Sequence, residues 1–147
     1  MNKEFEKRRR RLAKLIGKDG IAVIPTASTR VRSRDTDYPY RPDSDFYYFT
    51  GFSEPHAVMI LAPGREDGAF VVCLRAKNPL TEIWDGHMEG LNGVKKNFGV
   101  DQSFKIEDLE TILSSLFLGR QKVFFTLGQD DVLDKTLMRS YNSVRAG

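Results

Sequence analysis

Few residues in this sequence carry side chains that could do chemistry, and they are scattered. Cys73 is the sole cysteine and lies inside the apolar run AFVVCL, which predicts a small buried thiol. A nucleophile would need a base and an oxyanion site close by, and nothing near it suggests either. The two histidines, His56 in EPHAV and His87 in DGHMEG, stand alone in loop-like surroundings, so surface or turn roles are expected. Metal hydrolysis requires several ligands around one ion, with spacings such as HExxH, CxxC or clustered carboxylates with histidine. None occurs here, and the adjacent Asp130 and Asp131 are explained by the first turn of a helix. GxGxxG, P-loop and GxSxG motifs are also missing. The chain does not read as a complete enzyme, and no catalytic or metal-ligating residue is expected in it.

Two residues still ask for a partner. Asp35 sits in the arginine-rich RVRSRDTDYPYR, where Arg30, Arg32, Arg34 and Arg41 would keep it ionised. Trp84, the only tryptophan, falls in a polar, glycine-containing stretch, an odd place for so large an apolar surface unless something covers it.

The elements that must position these residues follow from periodicity. Phe5, Leu12, Leu15 and Ile16 recur at helical spacing, predicting a helix over residues 3–16 with Gly17 and Gly20 as its exit. The same spacing places the five consecutive cations from Lys7 to Arg11 largely on the solvent side. Ile21–Ile24, closed by Pro25, reads as a buried strand. Ala57–Leu61 and Ala69–Leu74, joined by the turn-rich PGREDG, read as an antiparallel hairpin. Asp43 and Ser44 could cap a short aromatic helix through Phe52. Thr81–Trp84 is expected as a short strand, Leu91–Phe98 as a helix ended by Gly99, and 106–117 as a helix stopped by Gly119. Lys122–Leu127 then reads as a strand, before a final amphipathic helix through Val144. Helices alternating with short apolar strands predict an α/β fold, a mixed sheet of about six strands flanked by helices.

Composition bounds the class. A chain of 147 residues fits one domain, here residues 1–147, and 40% hydrophobic with 29% charged residues is a globular balance. No run reaches the ~20 apolar residues that span a bilayer, and MNKEFEKRRRR lacks the apolar centre of a signal peptide. A cytoplasmic protein is expected, with no membrane partner, and a single cysteine agrees with a reducing compartment. The net charge of +3 is modest, and a basic run on an amphipathic helix is weak ground for nucleic acid, which is not expected as a partner.

The segment RDTDYPYRPDSDFYYFTGFSEP, residues 34–55, resembles the signature of the amino-terminal domain of aminopeptidase P, D-x-x-Y-x-[FY]-R-x-x-S-x-F-x-Y-x-[TS]-G-F-x-E-P. Asp35, Tyr38, Tyr40, Arg41, Ser44, Phe46, Tyr48, Thr50, Gly51, Phe52, Glu54 and Pro55 fill the patterned places. TEIWDGHMEG, residues 81–90, is similar to the family's E-x-W-x-G-x-x-x-G stretch. The likeness runs over essentially the whole chain and implies the fold of the creatinase/aminopeptidase P amino-terminal domain.

The resemblance also implies a division of labour. A larger pita-bread domain, absent from this chain, would carry two manganese ions on two Asp, two Glu and one His and would remove the residue preceding proline from peptides. This chain would border the cleft and support a homo-oligomer, a dimer or tetramer. In the family the tryptophan matching Trp84 reaches across a subunit interface towards substrate; the bland alternative is an anchor for its own loop. Asp35 is read as a carboxylate pairing with an arginine of the missing domain, or else as a surface ion pair. Tyr38 and Arg41 are read as scaffold of the same loop, since a phenol and a guanidinium both need partners when half buried. The alternative function is a stand-alone peptide- or protein-binding module derived from this domain.

Overall fold

The computed structural model describes residues 3–26, 44–125 and 131–146. In chain order the elements are α1 (Lys3–Ile16), β1 (Gly20–Pro25), α2 (Ser44–Thr50), β2 (Val58–Leu61), β3 (Phe70–Leu74), α3 (Pro79–Asp85) and α4 (Gly90–Phe98). They continue with β4 (Gln102–Lys105), a 3-10 turn (Ile106–Asp108), α5 (Leu109–Phe117), β5 (Lys122–Phe125) and α6 (Asp131–Ala146). The strands form one five-stranded mixed sheet in the order β4-β3-β2-β1-β5. β2 runs antiparallel to both β1 and β3, with Ala22 opposite Leu61 and Met59 opposite Val72. β5 adds parallel to β1, and β4 parallel to β3.

The central strands read as continuous apolar runs because both faces of the sheet are covered. Alternation along each strand sends Ala22, Met59, Leu61, Phe70, Val72 and Leu74 to one side, where they pack with Ile16, Phe46 and Val94 from α1, α2 and α4. Ile21, Val23, Val58, Ile60, Val71 and Cys73 face the other way, against Leu109, Leu113 and Phe117 of α5 and Leu133 and Leu137 of α6. Each such buried branched or aromatic side chain contributes about 1.5–3 kcal/mol over its exposed state.

The expected helix over 3–16, the 57–74 hairpin, the α4 helix and its Gly99 stop, at φ +71, all stand where periodicity put them. Two expectations change. Thr81–Trp84 is helical, because Asn78 caps the segment and Pro79, at the first helical position, has its φ already set. The sheet keeps five strands because Gln102–Lys105 pairs with β3 in its place; as a polar edge strand with one apolar residue, Phe104, it gives little periodic signal. The cations of α1 do not all face water. Five consecutive residues at 100° each sweep the full circumference of a helix, so Arg9 turns inward and is 8% exposed. Arg9 donates to the Phe49 carbonyl at 2.8 Å and Arg8 to the Tyr48 carbonyl at 3.1 Å, satisfying groups at the C-terminal end of α2. Arg120 fastens three segments: its Nη1 lies 2.7–3.0 Å from the carbonyls of Lys18, Gly20 and Pro63.

Candidate functional site

Helix α3 carries the most unusual surface among the described residues. Asn78 Oδ1 accepts the backbone N–H of Leu80 at 2.9 Å and that of Thr81 at 3.4 Å, which starts the helix without help from packing. Leu80, Ile83 and Trp84 follow at i, i+3 and i+4 and so share one face. They are 73%, 71% and 86% exposed, and no α3 side chain enters either apolar cluster. A surface helix normally turns its apolar stripe inward. A contiguous apolar face turned outward marks a place where something else docks.

Polar groups hold this helix from behind. Gly86, at φ +88 and ψ −168, takes a backbone conformation that only glycine adopts readily and donates its N–H to Glu82 O at 3.1 Å. The chain then dives, burying Met88, whose N–H donates to Glu82 Oε2 at 3.0 Å. The next amide, Glu89 N–H, donates to Glu54 Oε2 at 3.1 Å. Glu54 is 8% exposed, and its other oxygen lies 3.5 Å from Arg75 Nη2. One hydrogen bond therefore joins GFSEP to TEIWDGHMEG, two stretches separated by 35 residues between the bonded atoms.

His87 stands between two carboxylates, with Nε2 2.9 Å from Glu89 Oε2 and Nδ1 3.6 Å from Glu82 Oε2. Glu89 Oε1 accepts from Asn97 Nδ2 at 2.9 Å. Partial burial pushes the Glu89 carboxyl up. The hydrogen bonds from Asn97 and His87 and the charges of His87 and Lys77 outweigh it and hold the group below its ordinary range.

The sequence-expected residues fall unevenly around this surface. Trp84 is at its centre, on a helix instead of in a loop or strand. Asp35, Tyr38 and Arg41 lie outside the described residues, as do the Asp43 cap and Asp130; α6 begins at Asp131. His56 occupies an exposed turn at φ +58. Cys73 is fully buried, and burial first, then the charge of Asp108, pushes its thiol up to about 12, so it offers no thiolate at neutral pH. Among the described residues no three His, Cys, Asp or Glu side chains come together to hold a metal ion. Sequence reasoning missed Glu54 and Arg75 as partners of the tryptophan-bearing segment. Their signal was an acid and a base in otherwise apolar or turn-rich stretches, whose pairing only the fold supplies.

The sheet order, the two helix layers and this outward helix define an α/β domain of one recognised type. The chain belongs to the family described as aminopeptidase P, N-terminal domain, which it matches over residues 5–125. It is 32% identical over 145 residues to a Xaa-Pro aminopeptidase of Escherichia coli strain K12, covering 98% of this chain and 33% of that protein. It is also 28% identical over 127 residues to intermediate cleaving peptidase 55 of Saccharomyces cerevisiae, covering 84% of this chain and 25% of the relative. Among solved structures, aminopeptidase PepP of Pseudomonas aeruginosa superposes with a TM-score of 0.89 at 40% identity, over 99% of this chain and 33% of that one. A zinc-substituted E. coli aminopeptidase P in complex with product gives 0.88 at 32%, with the same coverages. The chain thus spans about a third of the length of these aminopeptidase P relatives.

Proposed function

We propose that this chain is the non-catalytic amino-terminal domain of a cytoplasmic, manganese-dependent Xaa-Pro aminopeptidase, in which it borders the active-site cleft and supports a homo-oligomer. The chemistry would belong to the pita-bread domain, absent from this chain, which would hold both metal ions and cut before proline. The observation that carries the reading is the outward apolar face of α3, with Trp84 at 86% exposure. A soluble domain keeps such a face only where a second surface covers it. On this reading the cover is a neighbouring subunit and the peptide bound there, with Trp84 touching substrate beyond the cleaved bond. Asp35, Tyr38 and Arg41, in the 27–43 segment, would contribute the cleft's rim, Asp35 through an arginine of the catalytic domain.

Sedimentation of the 147-residue chain tests the surface. The wild-type chain is expected to associate weakly at high concentration, commonly through a two-fold contact, and Trp84→Ala to stay at the monomer mass of 16.8 kDa. Equal association by both would remove α3 from the interface. The same purified chain with added Mn²⁺ is expected to hydrolyse no Xaa-Pro peptide; turnover that survives purification would contradict the assignment of chemistry to another domain.

A further inference from the structure

A helix that puts none of its side chains into the core must be aimed by its ends. At the start of α3 that is done locally by Asn78 and Pro79. At the far end the local links, Gly86 N–H on Glu82 O and His87 between Glu82 and Glu89, join α3 only to the segment directly after it, and Gly86 is the most freely rotating residue type. What fixes it is the pair of amides just beyond, Met88 N–H on Glu82 and Glu89 N–H on Glu54. Glu82 belongs to α3 and moves with it, whereas Glu54 belongs to the segment between α2 and β2, which is tied into the sheet.

Glu54 is also an expensive residue to keep there. A carboxylate at 8% exposure pays a desolvation penalty, and Oε1 accepts no hydrogen bond among the described residues, facing Arg75 only at 3.5 Å. A core that needed only volume at this point would be served by an apolar side chain. We infer that Glu54 is the positioning residue of the Trp84 surface: its buried carboxylate, steadied by Arg75, holds the Glu89 amide and thereby fixes the direction in which α3 presents Leu80, Ile83 and Trp84. The functional consequence rests on the reading of α3 as a contact face. The mechanical claim does not.

Amide ¹⁵N relaxation on the 147-residue chain separates positioning from plain stability. Glu54→Ala removes both oxygens, Glu54→Gln keeps one acceptor for Glu89 N–H and loses the charge facing Arg75, and Ile60→Val trims the opposite apolar layer as a control. In the wild type the amides of Leu80 to Trp84 are expected at rigid order parameters, about 0.85. In Glu54→Ala they are expected to fall below about 0.6, with Glu54→Gln between and β2 and β3 unchanged. Ile60→Val should leave α3 rigid. Wild-type order parameters for α3 in Glu54→Gln and Glu54→Ala, or an equal fall in Ile60→Val, would overturn the inference. If Glu54→Ala does not fold, Glu54→Gln decides alone. A wrong reading of α3 as a contact face would appear instead as unchanged self-association of Trp84→Ala, leaving these order parameters as predicted.

Discussion

The guanidinium carbon of Arg9 lies 3.9 Å from the centre of the Phe70 ring, while Nη1 of the same residue donates to the Phe49 carbonyl. One side chain thus links α1, β3 and the end of α2. A hydrogen bond from a charged group contributes about 1.5–3 kcal/mol, and a ring under a cation adds to it. Arg9→Ala should therefore destabilise the chain by about 2–3 kcal/mol in urea unfolding followed by circular dichroism. Arg11→Ala, two residues on and exposed, should change stability by no more than about 0.5 kcal/mol.

Gly51, in the TGF stretch, is scaffold of the same region. It leaves α2 at φ +71, and a β-carbon there would lie 2.6 Å from the Phe5 ring. Gly51→Ala combines left-handed strain with a displaced aromatic, and should cost about 1–3 kcal/mol in thermal or urea unfolding. Gly119→Ala, also at positive φ but with open space around it, should cost less.

Acid should loosen the α3 surface through Glu89. Its folded pKa is depressed, so around the ordinary carboxyl range the unfolded chain binds more protons than the native one, and stability rises with pH there. The contribution is complete above the unfolded value of about 4.3 and is lost as pH falls through the lower folded value. Comparing wild type with Glu89→Gln by urea unfolding, the wild-type advantage should be largest near neutrality and shrink below about pH 4. An advantage that grows on acidification would reverse the sign.

Legibility in the sequence followed locality. Residues 3–16, 91–98 and 106–117 showed a helical period, the last with a 3-10 first turn over Ile106–Asp108, and Ile21–Ile24 and the 57–74 hairpin showed apolar runs, because each of those segments meets the core through its own pattern. α3 and β4 did not: α3 never meets the core, and β4 is an edge strand with one apolar residue. Trp84 stood out as a large aromatic in polar company. The groups that hold its helix, Glu54, Arg75 and Asn97, come from three other segments, and no spacing in the chain announces their meeting. The inward turn of Arg9 was legible in principle, since five cations in a row must circle a helix.

The most direct test of the proposed function is steady-state kinetics of the proposed two-domain enzyme carrying Trp84→Ala, with an Xaa-Pro dipeptide and with a longer peptide. On the proposed reading Trp84 would reach from a neighbour to the part of the substrate beyond the cleaved bond, so its loss would remove binding without disturbing the reacting groups. A fall in kcat/KM of about tenfold, equivalent to about 1.4 kcal/mol, is expected for the longer peptide, with little change for the dipeptide. Equal losses for both substrates, or none for either, would contradict it and leave Trp84 an anchor of its own helix.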